Sequence, residues 1–124
     1  MPLVLIVDDE LPQRTLIRET LASDPTLAFV EAEDGSEALQ QARAKRPDVI
    51  ILDIMMPHMD GYQVCRILKA DPDLTNVPVI FLSALGHAED KVTGQMLGAF
   101  AFVNKPFEEL DLQTRVRSAL AEAK

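Results

Sequence analysis

The chain has 124 residues, of which 48% are hydrophobic, and it carries a formal net charge of −8 at pH 7. This length predicts one domain over residues 1–124, with a core large enough to need neither disulfides nor a structural metal. The negative charge disfavours direct binding to nucleic acid or to an anionic membrane, and it favours metal cations or basic proteins as partners.

The N-terminus and the cysteine content indicate where the protein resides. The opening MPLVLIVDDE has an apolar run of only five residues before two acids, which predicts neither a signal peptide nor a membrane insertion. Cys65 is the single cysteine, so no internal disulfide can form. We therefore expect a cytoplasmic protein in a reducing compartment.

Short apolar runs alternate along the chain with segments of helical periodicity. The runs are Leu3–Val7, Phe29–Ala32, Val49–Leu52, Val79–Leu82 and Phe100–Val103. The apolar residues at helical spacing between and after them are Leu16, Ile17 and Leu21, then Ala38, Leu39 and Ala42, then Val64, Cys65 and Leu68, then Val92 and Met96, and finally Leu112, Val116 and Leu120. This alternation predicts an α/β fold, a doubly wound sheet of five parallel strands with five helices on its two faces.

Polar residues follow the predicted strands at their carboxyl ends. They are Asp8, Asp9 and Glu10 after the first strand, Asp53 after the third, Ser83 after the fourth and Lys105 after the fifth. Because these ends meet at one edge of a parallel sheet, where ligands bind, we expect the side chains to lie close together. Carboxylates from two strands repel each other unless a cation lies between them, and Mg²⁺ prefers such oxygen ligands.

Asp53 is the residue on which we expect chemistry. A metal ion, the ammonium group of Lys105 and the hydroxyl of Ser83 could together distribute charge over the oxygens of a phosphoryl group carried by Asp53. The alternative for any one residue is a structural ion pair between Asp53 and Lys105 beside a solvated acidic loop. Agreement across the whole set favours the phosphoryl site.

The sequence also carries a family resemblance. The motifs are VLIV before Asp8 and Asp9, LDIMMP around Asp53, MDG at 59–61, IFLSA around Ser83 and KPF at 105–107. In this order and spacing they resemble the receiver domain of two-component response regulators, over essentially the whole chain. The family is similar in fold to flavodoxin, so the resemblance implies the strand order 2-1-3-4-5.

The resemblance implies a phosphoacceptor function with Mg²⁺ as cofactor. Asp53 would take a phosphoryl group from a phosphohistidine on a sensor histidine kinase or a phosphotransfer protein. Asp9, Asp53 and the main-chain carbonyl of Met55 would contact the metal, with Asp8 acting largely through water. The domain would assist its own phosphorylation and dephosphorylation without being a turnover enzyme.

The resemblance further implies that Ser83 and Phe102 form a switch pair, and that a cis peptide bond joins Lys105 to Pro106. The two-residue period of a strand predicts that Phe100 and Phe102 share a face. On that face, with the fourth and fifth helices, we expect an output surface for a downstream protein or an attached output domain.

Side chains near the phosphoryl group bear on its lifetime. We expect Met55 and Leu85, two residues after Asp53 and Ser83, to flank the path of an attacking water. Neither side chain can orient a water molecule, so hydrolysis should be slow.

Three other functions are alternatives to the phosphoacceptor. A haloacid-dehalogenase-like phosphohydrolase requires a second acid two residues after Asp53, where this chain has Met55. A flavodoxin has a phosphate loop rich in Ser, Thr and Gly, whereas the acids of residues 8–10 would repel phosphate. The remaining alternative is a degenerate receiver that acts only as a protein-binding module.

Overall fold

A computed structural model describes residues 1–84 and 95–122, except for the side chain of residue 84. The strands form one parallel sheet in the order β2-β1-β3-β4-β5, which confirms the predicted topology. The elements in chain order are β1 Leu3–Val7, α1 Leu11–Leu21, β2 Ala28–Ala32, α2 Gly35–Lys45, β3 Val49–Asp53, α3 Gly61–Ala70, β4 Val79–Ala84, β5 Ala101–Lys105 and α4 Glu109–Glu122.

The helices agree with four of the five that the sequence predicts. The remaining one, expected around Val92 and Met96, falls largely in residues 85–94, outside the described part of the chain. Among the described helices, none has the length and apolar character that crossing a bilayer requires.

Two hydrophobic clusters cover the two faces of the sheet. Alternate residues of the central strands point to opposite faces, so Leu5 and Phe81 pack with α2 and α3, whereas Val4 and Ile80 pack with α1 and α4. Burial on both sides explains why these strands read as continuous apolar runs in the sequence.

The start of α3 lies directly beneath the end of β3. The carboxylate of Asp60 accepts the backbone N–H of Gln63, and the side chain of Gln63 accepts the N–H of Asp60, which caps the helix reciprocally. The N–H of Gly61 donates to the carbonyl of Ile54 at 2.9 Å. A Cβ on Gly61 would lie 2.5 Å from the carbonyl oxygen of Asp53, so only glycine allows this close approach.

The prediction that Phe100 and Phe102 share a face is wrong. Phe102 packs on the cluster beside α2 and α3, and Phe100 packs on the cluster beside α1 and α4. The chain bends at Phe100, and β5 begins only at Ala101. Alternation of side chains holds within a strand, and Phe100 precedes it.

Candidate functional site

The loop after β1 gathers three carboxylates. Asp8 is fully buried, whereas Asp9 and Glu10 are exposed. The backbone N–H of Asp8 donates to the carbonyl of Ala32 at 3.2 Å, and its Oδ1 accepts the N–H of Glu10 at 2.9 Å. Carboxylate oxygens of Asp8, Asp9 and Glu10 lie within 4.8 Å of one another, so the loop concentrates negative charge at the carboxyl edge of the sheet.

Lys105 joins the ends of three strands. Its Nζ donates to Asp53 Oδ1 at 2.9 Å and to Asp8 Oδ2 at 3.1 Å. The Asp8 and Asp53 side chains are 0% and 7% exposed, and that of Lys105 is 22% exposed. Lys105 is followed by a cis peptide bond to Pro106, as the resemblance implied. The predicted convergence of Asp8, Asp53 and Lys105 is therefore present in the structure.

The electrostatics of this group are unbalanced. Burial raises the pKa of Asp53 above its ordinary value, the hydrogen bond from Lys105 opposes that shift, and the charges of Asp8 and Asp9 add to it. Burial lowers the pKa of Lys105, but its bonds and charge interactions with Asp53 and Asp8 outweigh burial and raise that pKa overall. The single positive charge of Lys105 therefore does not neutralise the negative charge of the surrounding carboxylates.

The remaining predicted site residues lie around this centre. Ser83 is 5% exposed on β4, the strand between β3 and β5, and it is in register with Asn104 of β5. Met55 is two residues beyond Asp53, and its side chain is exposed. The ring of Phe102 is partly buried and lies 5.4 Å from the ring of Phe81, centroid to centroid. Leu85 lies outside the described residues.

The oxygen donors fit a hard divalent cation. Three carboxylates lie close together in one loop, and a fourth, Asp53, has a pKa raised by burial and by the charges of Asp8 and Asp9; such oxygen donors are the ligands that Mg²⁺ prefers. The closest group is Asp8, Asp9 and Glu10, whereas Asp53 is joined to it through Lys105. Asp8, Asp9, Asp53 and the Met55 carbonyl are the residues that we assign to metal binding as a proposal.

A second charged cluster next to the site was missed by the sequence analysis. Arg14 Nη1 donates to the main-chain carbonyl of Asp8 at 2.8 Å, and Arg14 Nε donates to Glu31 Oε1 at 3.0 Å. Arg18 Nη1 donates to the other oxygen, Glu31 Oε2, at 2.6 Å. Two signals could have indicated it: arginines four residues apart on one helix face, and a lone charge in the apolar strand β2.

Comparisons with known proteins agree on one family. A family model described as the response regulator receiver domain matches residues 4–117. A curated protein named "Probable transcriptional regulator ycf27" from Guillardia theta is 48% identical over 117 residues, which cover 94% of this chain and 44% of that protein. The response regulator PleD of Caulobacter vibrioides is 40% identical over 115 residues, which cover 93% of this chain and 25% of that protein. This chain therefore spans about half the length of the first relatives, or less.

Solved structures give the same result. The receiver domain of the Francisella response regulator 1452 superposes with a TM-score of 0.89 at 34% identity, covering 100% of both chains. The Vibrio cholerae chemotaxis protein CheY4 superposes with a TM-score of 0.88 at 32% identity, covering 97% of this chain and 99% of that one. Both matches therefore cover all or nearly all of this chain.

Proposed function

This chain belongs to the response regulator receiver family, and on that basis we propose that it is a phosphoacceptor domain whose phosphorylated residue is Asp53. The observation that carries the proposal is the pair of bonds from Lys105 to the buried carboxylates of Asp53 and Asp8. A reactive carboxylate with a raised pKa, held by one lysine at the edge of the sheet, is placed to receive a charged group.

The proposed reaction transfers a phosphoryl group from a phosphohistidine of a partner kinase or phosphotransfer protein. An oxygen of Asp53 attacks the phosphorus, a P–O bond forms, and the P–N bond breaks. The imidazole nitrogen keeps the electron pair of that bond and takes up a proton. Asp8, Asp9, Asp53 and the Met55 carbonyl would hold Mg²⁺, which would supply positive charge to offset the negative charge of the transferred oxygens. Lys105 remains protonated, because its pKa is raised, and donates to the same oxygens together with the hydroxyl of Ser83.

Loss of the phosphoryl group follows from attack by water on the phosphorus. The P–O bond to Asp53 breaks, and inorganic phosphate and the free carboxylate are released. Met55 is 74% exposed and has no group that could orient a water molecule, so we propose that hydrolysis is slow.

We further propose that Ser83 and Phe102 report the phosphorylated state. Phe102 is only partly buried against Phe81, so its ring can become more buried when Ser83 is drawn toward the phosphoryl oxygens. Phe100 packs on the opposite face, so we restrict the proposed output surface to the side of Phe102. Because the first curated relatives are about twice as long, the recipient is a downstream protein or an attached output domain.

Fluorine NMR of labelled phenylalanines tests the switch. On addition of an acyl-phosphate mimic such as BeF₃⁻, the resonance of Phe102 should shift, and that of Phe100 should shift less because it lies on the other face of the sheet. An unchanged Phe102 resonance in protein that binds the mimic would contradict the proposed switch.

Mass spectrometry tests the phosphoacceptor itself. After incubation with Mg²⁺ and acetyl phosphate, the wild type should gain one phosphoryl group, and Asp53→Ala should gain none. Glu33→Gln, which changes an exposed acid after β2, is the matched control and should gain the group as the wild type does. A wild type that never gains mass would favour the degenerate, protein-binding alternative.

A further inference from the structure

The guanidinium group of Arg14 is held in one place by contacts on two sides. The side chain is only 12% exposed, although it lies in the first turns of α1. One nitrogen donates to the carbonyl oxygen of Asp8 at 2.8 Å, and another donates to Glu31 Oε1 at 3.0 Å. The planar fork of arginine suits these two acceptors, because its donors have a fixed relative direction.

Glu31 is itself held in position from its other side. Its second oxygen accepts from Arg18 at 2.6 Å, and the guanidinium of Arg18 lies 5.5 Å from the ring centroid of Phe29. Glu31 and Phe29 belong to β2, whose register with β1 is fixed by the sheet. The position of Arg14 is thus set by the strand next to the acidic loop.

The oxygen that Arg14 holds belongs to the peptide that links Asp8 to Asp9. The backbone N–H of Asp8 is already bonded to Ala32, and the Asp8 carboxylate is bonded to Glu10 and Lys105. Holding the carbonyl oxygen restricts rotation of the Asp8–Asp9 peptide plane, which contains the Cα of Asp9, and so restricts the positions that the Asp9 carboxylate can reach. Asp9 is exposed, so burial alone does not hold it in place.

We propose that Arg14 is a positioning residue for the metal site, which acts by orienting the Asp8–Asp9 peptide through its hydrogen bond to the Asp8 carbonyl oxygen. This inference rests on the proposed Mg²⁺-dependent function. Residues that orient metal ligands without touching the metal typically change metal affinity by about 10- to 100-fold when they are replaced. Arg14 therefore sets the affinity for Mg²⁺ although its charge has the same sign as the metal.

Calorimetric titration with Mg²⁺ at constant ionic strength tests the proposal. Arg14→Met should weaken Mg²⁺ binding about tenfold, because the Asp8–Asp9 peptide loses its donor. Arg18→Met is the matched control, since it removes the same charge from the same Glu31 but leaves the bond to Asp8 intact. Its Mg²⁺ affinity should stay within about twofold of the wild type.

The sign of the change separates positioning from charge. Removal of a nearby cation should by charge alone strengthen Mg²⁺ binding, whereas loss of orientation should weaken it. Arg14→Lys keeps the charge but cannot reproduce the two fixed donors, and it should therefore also bind Mg²⁺ more weakly than the wild type. In the metal-free protein, the amide resonance of Asp9 should shift in Arg14→Met and not in Arg18→Met.

The outcomes keep this inference apart from the proposed function. If the wild type binds Mg²⁺ and folded Arg14→Met binds it equally or more tightly, the positioning role is overturned while the function stands. Arg14→Lys replaces Arg14→Met in this test if the methionine variant does not fold. An Arg14→Lys protein that binds Mg²⁺ as tightly as the wild type overturns the positioning role in the same way. A wild type that binds no Mg²⁺ overturns both.

Discussion

Two charged clusters lie on either side of Asp8, and they are built on opposite principles. The site cluster, Asp8, Asp53 and Lys105, gives one cation to two buried carboxylates. The clamp, Arg14, Arg18 and Glu31, gives two cations to one carboxylate and uses both of its oxygens. The site cluster therefore carries an excess of negative charge. In the clamp, by contrast, each oxygen of the carboxylate is paired with its own arginine.

This difference separates a site from a support. A buried carboxylate without enough compensation costs stability, and the raised pKa of Asp53 records that cost. The clamp carries less of this cost, because Arg18 is 49% exposed and can remain solvated, and because Glu31 bonds two cations. We infer that the excess charge is retained for a cation and a phosphoryl group, while Arg14, the clamp residue that bonds the Asp8 carbonyl, keeps the acidic loop in shape.

Among substitutions in the two clusters, removal of Lys105 should lower the free energy of unfolding most. In Lys105→Met, the carboxylates of Asp8 and Asp53 lose their shared donor, and we expect the free energy of unfolding to fall by about 2 kcal/mol at pH 7 in EDTA. This is below the roughly 3–5 kcal/mol typical of a fully buried pair, because Lys105 is partly solvated. A raised lysine pKa contributes stability that is fully present below about pH 10, so pH 7 captures all of it.

Urea unfolding followed by circular dichroism measures this loss. The control is Arg18→Met in the clamp, whose half-exposed side chain should cost about 0.5 kcal/mol or less. Equal losses of stability in the two variants would contradict the claim that the site cluster is short of positive charge and the clamp is not.

Neutralising one carboxylate in each cluster should shift stability in opposite directions. Asp53→Asn removes a charge that is unfavourable in the folded state, so the free energy of unfolding at pH 7 should rise by about 1 kcal/mol. Glu31→Gln weakens bonds to two arginines, so the same quantity should fall by about 1 kcal/mol.

The pH dependence of Asp53→Asn follows from the raised pKa. The penalty of the ionised carboxylate is absent below its ordinary value of 3.8 and develops as pH rises through the higher folded-state value. The stability gained by Asp53→Asn over the wild type should therefore shrink toward zero near pH 3. A gain that is constant with pH, or a loss at pH 7, would contradict the excess charge of the site cluster.

The sequence was sufficient for the sheet because both faces of its central strands are buried. Short continuous apolar runs bounded by Pro or polar residues, such as Val49–Leu52, are typical of strands buried on both faces, and β3 differs from that prediction only by including Asp53. The convergence of Asp8, Asp53 and Lys105 followed from parallel topology alone. Contacts at the ends of strands were harder to predict from the sequence, because Phe100 and Phe102 pack on opposite faces of the sheet.

The clamp could not be predicted in the same way. Its function depends on which acceptor a long arginine side chain reaches, and Arg14 donates to a main-chain oxygen, which every residue possesses. Sequence spacing places Arg14 and Arg18 on one face of α1 but does not reveal that Glu31 faces them from β2. The three residues meet because β2, which carries Glu31, pairs with β1, the strand that precedes α1.

The most direct test of the account is the stabilisation by Mg²⁺ of the wild type and of Asp9→Ala. Unfolding is measured in urea with EDTA or with excess Mg²⁺ at matched ionic strength. Both proteins are measured at one Mg²⁺ concentration, 100 times the Kd of the wild type. The free energy of unfolding of the wild type should then rise by about 2.7 kcal/mol. Asp9→Ala should fold and gain far less, because one carboxylate is missing from the cation site. An equal gain in both proteins, or none in the wild type, would contradict the claim that the excess negative charge forms a cation site.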